Sequence, residues 1–189
     1  MILNLKKAKM GTTNRNINNP SYLWFLGGFV EGEGSNSVSI TIHKNLKFGI
    51  TIQPVFNVSQ HKNGLNILNS FKEFFEDAGS VVEKSAGFAS PDIFVYTIKG
   101  YKQIIKYVLP FLENYVQPFS CKKEEFNIFK EIVILSSEGK QRHKDDLIYL
   151  VKLAYTLQGK GKTRKRELSE ILQIIEDKDA YFQNPNLIK

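Results

Sequence analysis

Two glutamates, each followed by a glycine, end the most apolar stretch of this 189-residue chain. The stretch reads LWFLGGFVEGEGS from Leu23 to Ser35, and its two carboxylates are Glu31 and Glu33. Hard divalent cations prefer carboxylate and carbonyl oxygens as ligands. Two metal ions that hold a scissile phosphate would make a phosphodiesterase. The alternative is a solvent-exposed acidic turn in which the glycines serve only to end a helix.

The position of these carboxylates is unfavourable for an isolated helix. An exposed acidic residue at a helix C-terminus faces the negative end of the dipole and costs about 0.3–1 kcal/mol. Gly28 and Gly32 are one helical turn apart, and small residues at that spacing allow two helices to pack closely. Two such helices side by side would bring their acidic ends together, and a cation would relieve the repulsion.

Residue periodicity predicts a helix before this acidic turn and a hairpin after it. The apolar stretch predicts a helix over residues 22–31. Apolar and polar residues then alternate over 38–42 and 50–59, which indicates two half-buried strands joined by a loop at 45–49. Pro54 predicts a bulge, an edge or an interruption in the second strand.

Further helices and strands are predicted along the rest of the chain, without an internal sequence repeat. A helical period covers residues 63–78, and Gly79 is expected to stop that helix. Strands are predicted at 80–85 and 92–98, followed by a helix at 101–115. Further helices are predicted at 122–135, 144–157 and 164–175. The order αββαββα with appended helices predicts an α+β fold, with an antiparallel sheet and helices on one face.

The other face of this sheet is predicted to be polar and uncovered. Asn and Gln side chains can pair bidentately with adenine, and Ser and Thr can bond to any base edge. Such a face suits base readout in double-stranded DNA, whereas the alternative is a sheet face that is only solvated. The candidate readout residues are Ser37, Ser39, Thr41, His43, Thr51, Gln53, Asn57 and Ser59.

Positive charge is concentrated in one segment. The chain has 26 Lys and Arg against 19 Asp and Glu, a net charge of +7. Residues 139–166 hold nine basic residues against Asp145 and Asp146, which accounts for all of that excess. Localised basic charge is typical of a polyanion binder, and the alternative is a solvated basic surface. The candidate phosphate contacts are Lys140, Arg142, Lys160, Lys162, Arg164 and Lys165, and Lys47 and Lys84 could reach phosphates or guanine.

Composition indicates a soluble intracellular protein. The single cysteine, Cys121, excludes an intramolecular disulfide framework and is expected to be a buried small residue. No apolar run is long enough to span a bilayer, and nothing near the N-terminus resembles a signal peptide. Residues 1–20 are predicted to form a flexible basic arm, and residues 21–189 a single domain. Abundant lysine, asparagine and isoleucine suggest an AT-rich genome of an organelle or a phage.

Four stretches together resemble one protein family. The segment from Leu26 to Gly34 resembles the LAGLIDADG motif of homing endonucleases. FNVSQ at 56–60 resembles the end of that family's second strand, and LPFLENYVQPFSCKKEEF at 109–126 resembles the segment that delivers an active-site lysine. GKGKTRK at 159–165 resembles a basic loop that grips the DNA backbone. With one motif in the chain, the resemblance is to the single-motif homodimeric type.

The resemblance implies a saddle-shaped sheet on the DNA major groove and a double-strand break in a long pseudo-palindromic target. It implies an intron-encoded, organellar enzyme that depends on Mg²⁺, in which Mn²⁺ substitutes and Ca²⁺ binds without supporting cleavage. No membrane and no small-molecule cofactor is expected. The motif helices would form the homodimer interface, with Leu23, Gly27, Gly28 and Glu31 in it.

The resemblance also assigns roles at the active site. Glu33 would bind the metal, with the carbonyl of Gly32 nearby. Gln60 would orient water, and Lys122 would polarise it or stabilise the developing charge, with Lys123 as the alternative lysine. Glu31 would be a structural carboxylate.

The sequence departs from the family pattern at two places. Glutamate replaces aspartate at both acidic positions, and Gly64 stands where the single-motif type carries an arginine. Lys62 or His61 could substitute for that arginine, or the contact is absent. The alternative functions are an RNA-binding intron maturase and a DNA-binding regulator of the same fold that does not cleave. Metal-dependent cutting would separate the endonuclease from both.

Overall fold

The structure is a computed structural model that describes residue 17 and residues 19–84, 92–160 and 164–183. Most of the predicted N-terminal arm lies outside these ranges, and so does Lys162. No helix in the described ranges is both long enough and apolar enough to cross a bilayer.

One four-stranded antiparallel sheet forms the centre of the fold, with the strand order β1-β2-β4-β3. Its strands are β1 (Gly34–Ile42), β2 (Ile50–His61), β3 (Ser80–Glu83) and β4 (Ile93–Lys99). Helix α1 (Pro20–Glu33) precedes the first hairpin, and α2 (Leu65–Phe74) follows it after a 3-10 turn at Lys62–Gly64. This arrangement confirms the predicted α+β fold and the order of its elements.

A long interrupted helix follows the sheet. It consists of α3 (Tyr101–Gln103), a π-helical turn (Ile104–Val108) and α4 (Leu109–Tyr115). Pro110 cannot donate to a carbonyl of the preceding turn, and the helix widens to π geometry just before it. The chain continues through α5 (Lys123–Ser137), a 3-10 turn (Lys140–Arg142), α6 (Lys144–Lys160), α7 (Leu168–Glu176) and α8 (Lys178–Gln183). Helix α8 was not predicted.

The strand register divides the sheet into two faces. Cross-strand neighbours such as Ile40 and Ile52, or Phe56 and Ile98, point to one side, where the helices cover them. Phe71 of α2 is fully buried there against the ring of Tyr96. The register places the odd-numbered residues of β1 and β2 on the opposite side.

Pro54 fits within β2 without costing a ladder hydrogen bond. It lies opposite Val38 of β1, and its carbonyl accepts from the N–H of Gly100. Pairing with β4 begins only at Val55, so the absent N–H of Pro54 points past the end of β4. The strand is therefore locally at an edge, which was one of the predicted alternatives.

Helix α2 ends four residues earlier than predicted. Glu76 and Asp77 adopt positive φ angles of 53° and 61°, and the N–H of Asp77 donates to the carbonyl of Lys72. Gly79 then turns the chain into β3 with a φ of 79°. A Cβ at that position would lie 2.4 Å from the carbonyl oxygen of Thr97, so glycine is required there.

Candidate active site and nucleic-acid interface

The acidic turn lies where α1 runs directly into the sheet. Helix α1 ends at Glu33, and β1 begins at the next residue. The N–H of Gly34 donates to the carbonyl of Val30 and closes the helix. A Cβ on Gly34 would lie only 2.5 Å from that carbonyl oxygen. Glycine therefore allows an abrupt helix-to-strand transition that holds Glu33 at the end of the sheet.

Glu31 is held by contacts within the chain. Its carboxylate accepts from the backbone N–H of Cys121 at 3.3 Å and lies 3.2 Å from the Cys121 thiol. Partial burial raises the pKa of Glu31, but hydrogen bonds from Ser120 and Cys121 outweigh it, and the pKa lies below its ordinary value. Cys121 is exposed, so the expectation that it is buried was wrong. Its position in the loop before α5, rather than inside a helix, explains the difference.

Glu33 contrasts with Glu31. Its side chain is exposed, and within the described part of the chain it makes no hydrogen bond or ion pair. Lys122 lies next to this helix end, because its Nζ donates to the carbonyl oxygen of Glu31 at 2.7 Å. A cation at a helix C-terminus offsets the unfavourable dipole interaction of the two carboxylates. Lys123 instead begins α5, so the contact at the acidic turn is made by Lys122.

The donor set at this turn suits a hard divalent cation but is incomplete in one chain. Glu33 offers carboxylate oxygens, and the carbonyl of Gly32 lies at the last turn of the helix, where carbonyls lack intrahelical partners. Among the described residues, no three His, Cys, Asp or Glu side chains come together as a metal site.

A polar cavity of about 160 Å³ adjoins the acidic turn. Its lining includes Glu31, Asn36, Ser120 and Lys122. The Oδ1 atom of Asn36 is buried and has no hydrogen-bond partner within the described ranges. A cavity of this polarity and volume has room for ordered water close to Lys122.

Gln60 and Gly64 form a local pair. The Oε1 of Gln60 accepts from the N–H of His61 at 2.8 Å, and its side chain lies over Gly64. A Cβ at position 64 would be 2.2 Å from the Cγ of Gln60, so the side chain of Gln60 occupies the space that a larger residue at position 64 would need. Lys62 forms an ion pair with Asp92 at 2.7 Å, and the Nδ1 of His61 accepts from a neighbouring N–H. Both candidate substitutes are therefore engaged in local contacts.

The predicted readout residues of the two long strands share the outward face of the sheet. The register pairs Ser39 with Gln53 and Thr41 with Thr51 on that face. The residues placed there are Ser37, Ser39, Thr41, Thr51, Gln53, Asn57 and Ser59. His43 follows β1, Lys47 lies at the hairpin tip and Lys84 follows β3, and all three are exposed.

Asn57 has one fewer polar atom available for base contacts than the sequence predicts, because its Oδ1 is already hydrogen-bonded within the sheet. The hydroxyl of Thr97, its neighbour on β4, donates to the Oδ1 of Asn57 at 2.7 Å. The Nδ2 group remains as the donor that faces outward. The Nδ2 group of Asn57 can therefore donate a hydrogen bond to an acceptor on a base. Bidentate pairing with adenine would require the hydrogen bond from Thr97 to break.

Several basic residues lie near the β1–β2 hairpin, beside the edge strand β1 or in the turn before α6. Arg142 and Lys47 both line a cavity of about 470 Å³ between the hairpin and the start of α6. Lys140 is exposed, with its Nζ 3.9 Å from a carboxylate oxygen of Asp146. Lys165 is exposed next to β1. The side chain of Lys160 lies outside the described part of the structure.

Arg164 is different from the other basic residues, because its guanidinium is used inside the chain. Its Nη2 donates to the carbonyl oxygens of Ala154 at 2.7 Å and Val38 at 3.2 Å. Its Cζ lies 4.6 Å from the ring centroid of Tyr155, and burial lowers its pKa. Val38 belongs to the edge strand β1, so Arg164 ties the basic loop to the rim of the sheet.

We expect Arg164→Gln and Lys165→Gln to have different effects. Arg164→Gln should lower the free energy of unfolding by about 1–3 kcal/mol, because two carbonyls lose their donor. Lys165→Gln should leave the melting temperature unchanged and reduce the slope of log affinity against log salt by about one. Thermal melts and salt-dependent DNA binding measure both. A reduced salt slope for Arg164→Gln with an unchanged melting temperature would contradict the anchoring role.

One side of α1 is packed and the other is open. Leu23 is buried, and a Cβ on Gly27 would lie 2.1 Å from the carbonyl oxygen of Tyr115, so both face the chain's own core. Gly28 and Gly32 have no atom within 4 Å of an added Cβ. The interface role of Leu23 and Gly27 stays a prediction, and the structure gives both residues intrachain contacts.

Exposed aromatic rings surround the open side of α1. Trp24 is 41% exposed, Phe25 48% and Phe119 81%. The ring of Trp24 lies edge-on to that of Phe119, with 5.4 Å between their centroids. Neither Phe25 nor Phe119 was predicted to lie on this surface, because α1 is apolar all round and has no periodic pattern that distinguishes its sides. An apolar surface of this kind is typical of a protein interface.

The similarity to known proteins extends over the acidic turn, the sheet and the helices that follow it. Residues 26–133 match the family described as LAGLIDADG endonuclease. The DNA endonuclease I-CeuI of Chlamydomonas moewusii is 34% identical over 121 residues, which are 64% of this chain and 54% of that protein. This chain thus spans about half the length of that relative. The homing endonuclease I-ApeII of Aeropyrum pernix is 30% identical over 155 residues, covering 80% of this chain and 88% of that protein.

A solved homing endonuclease structure has the same fold. The archaeal intron-encoded homing endonuclease I-Vdi141I, solved as a complex with DNA, superposes with a TM-score of 0.73 and 33% sequence identity. The superposition covers 85% of this chain and 98% of that one.

Proposed function

The chain belongs to the LAGLIDADG endonuclease family, and on that basis we propose that it is a site-specific DNA homing endonuclease that makes a double-strand break. The observation that supports this most strongly is Glu33, an exposed carboxylate without a partner in the described part of the chain, held next to Lys122 at the edge of a polar sheet face. The relatives I-CeuI and I-ApeII are named as endonucleases, and I-Vdi141I was solved with DNA.

We propose that Glu33 and the Gly32 carbonyl hold Mg²⁺, that Mn²⁺ substitutes and that Ca²⁺ binds without supporting cleavage. The bound ion would activate water and neutralise charge at the scissile phosphate. The Nζ of Lys122 lies at the same helix end and would stabilise the charge that develops on the phosphate oxygens. Gln60 keeps its Nε2 donor available, and we propose that it orients water.

We propose that the active protein is a homodimer. The open side of α1, with Gly28, Gly32 and the exposed aromatic rings, is the surface on which a second α1 fits. A two-fold axis there would bring two copies of Glu33 together and complete the metal site. Two identical sheets would then read two related half-sites, and the target would be pseudo-palindromic.

The DNA would lie along the outward face of the sheet. Ser, Thr, Asn and Gln side chains of β1 and β2 would contact base edges, and the flanking lysines and Arg142 would position the backbone. The lysine-rich composition supports an origin in an AT-rich organellar genome, and we propose that the gene lies in an intron.

The test of this function is cleavage of a randomised duplex DNA library in Mg²⁺. We expect the wild-type chain to yield one pseudo-palindromic family of cut sites, because two identical surfaces read the DNA. In Ca²⁺ the same sites should be bound and left intact. Selection of a DNA site without cutting in Mg²⁺ or Mn²⁺ would point to a DNA-binding regulator. Selective binding of an intron RNA without DNA cleavage would point to a maturase.

A further inference from the structure

The outward face of the sheet changes character from one side to the other. Along β1 and β2 it carries mainly polar side chains, with Val55 as an exception. Along β3 and β4 it carries Val82, Val95 and Ile93 at one end, and the polar residues Ser80, Thr97 and Lys99 at the other end. Val95 lies between Ser59 of β2 and Val82 of β3, and Ile93 lies beside His61. We name Val82, Val95 and Ile93 the apolar patch.

The apolar patch is not part of the hydrophobic core that the described residues form. The adjacent residues Val81 and Phe94 point to the helices and pack against that core. Val82 is 51% exposed, and Val95 and Ile93 are only partly buried. Exposed apolar residues on an edge strand such as β3 favour unwanted pairing with other chains, so a protein keeps them at some cost. A ligand surface that covers them would offset that cost.

The patch also has a defined position relative to the acidic turn. Gly34, which follows Glu33, is level with Val58 of β2, and Val58 is level with Tyr96 of β4. Val95 lies one residue beyond that row, at the end of the ladder opposite to the β1–β2 hairpin. The patch is therefore at the end of the sheet nearest to Glu33.

We propose that the apolar patch recognises the C5-methyl groups of thymine in the major groove, in the part of each half-site nearest to the cut. This inference rests on the proposed DNA-binding function. Among the four bases only thymine presents a methyl group in that groove, and apolar side chains distinguish it by contact. Cross-strand Cβ atoms such as those of Val82 and Val95 are about 5 Å apart, against a rise of about 3.4 Å per base. The patch therefore spans adjacent or alternate thymines.

The experiment replaces each thymine of the selected target in turn by deoxyuridine, which removes the methyl group and keeps every hydrogen bond. We expect the affinity of the wild-type chain to fall about fourfold at one or two cut-proximal positions in each half-site, the factor for losing one buried apolar carbon. Replacing thymine by cytosine at the same positions should also lower the affinity. Using 5-methylcytosine instead of cytosine restores the methyl group and should recover part of that loss.

The double variant V82S/V95S removes both methyl groups of each valine and leaves no apolar contact for a thymine methyl. It should bind the thymine and deoxyuridine targets equally, and it should remain folded in thermal melts, because Val82 is half exposed and Val95 is only partly buried. Thr41→Ala, on the same face but at the far end of the ladder, should keep the full sensitivity to deoxyuridine at the cut-proximal positions.

Two results would overturn the inference. One is a wild-type affinity unaffected by deoxyuridine at every cut-proximal position, and the other is undiminished sensitivity in V82S/V95S. A selected site without cut-proximal thymine on either strand would count equally against it. Failure to bind any DNA duplex would instead contradict the proposed function itself, so the two failures are distinguishable.

Discussion

Glu33→Gln is expected to abolish DNA cleavage while DNA binding and folding persist. The carboxylate is exposed and makes no contact within the described part of the chain, so its loss should not change stability. The neutral amide is a poor ligand for a hard divalent cation. A bound metal supplies several kcal/mol of transition-state stabilisation, which corresponds to a loss of about 10³-fold or more in the cleavage rate. Single-turnover cleavage in Mg²⁺ measures it, with binding measured by fluorescence anisotropy.

Glu31→Gln is the matched control in the same turn. Because hydrogen bonds from Ser120 and Cys121 lower the pKa of Glu31, its carboxylate stabilises the fold above the pKa of the unfolded chain. That contribution disappears as the pH falls through the lower pKa of the folded state. The variant should therefore melt below the wild type at neutral pH, and the difference should vanish in acid. Two results would contradict the assignment of Glu33 as the metal ligand. One is a Glu33→Gln variant that cleaves DNA at the wild-type rate, and the other is an equal loss of cleavage in both folded variants.

The neighbouring glycines Gly27 and Gly28 are expected to respond to substitution in opposite ways. A methyl group at Gly27 would meet the carbonyl oxygen of Tyr115 at 2.1 Å, so α1 and α4 would have to separate. Gly27→Ala should lower the free energy of unfolding by about 1–3 kcal/mol, as other overpacked sites do. Thermal and urea denaturation of Gly27→Ala and of the wild type measure this loss of stability.

Gly28→Met should leave the folded chain intact, because an added Cβ meets nothing within 4 Å and methionine favours helix by about 1 kcal/mol over glycine. The long side chain would instead keep a second α1 from approaching. We expect this variant to sediment as a monomer and to lose double-strand cleavage. A Gly28→Met chain that sediments as a dimer and cuts DNA would refute the proposed interface, as would a wild-type monomer at micromolar concentration.

Much of the proposed DNA-binding surface could be predicted from local sequence patterns. Alternation along 38–42 and 50–59 correctly predicted two strands with one polar face, because the strand backbone turns successive side chains to opposite sides. The same rule applied to β3 and β4 would have revealed Val82 and Val95, although no motif draws attention to them. The helical periods were correct in position, but α2 ends earlier than predicted, where Glu76 and Asp77 reverse the chain, and α7 begins at Leu168 rather than at residue 164.

Other features were decided by contacts between residues far apart in the chain. The sequence by itself determined the order of the elements, the position of the acidic turn and the polar face of the hairpin, since backbone periodicity and glycine chemistry are local. Tertiary packing decided that Gly27 is enclosed while Gly28 is open, that Lys122 reaches the end of α1, and that Arg164 serves the sheet edge. An apolar helix or a basic run has the same local pattern whichever side is buried, so only the neighbours brought by folding distinguish these roles.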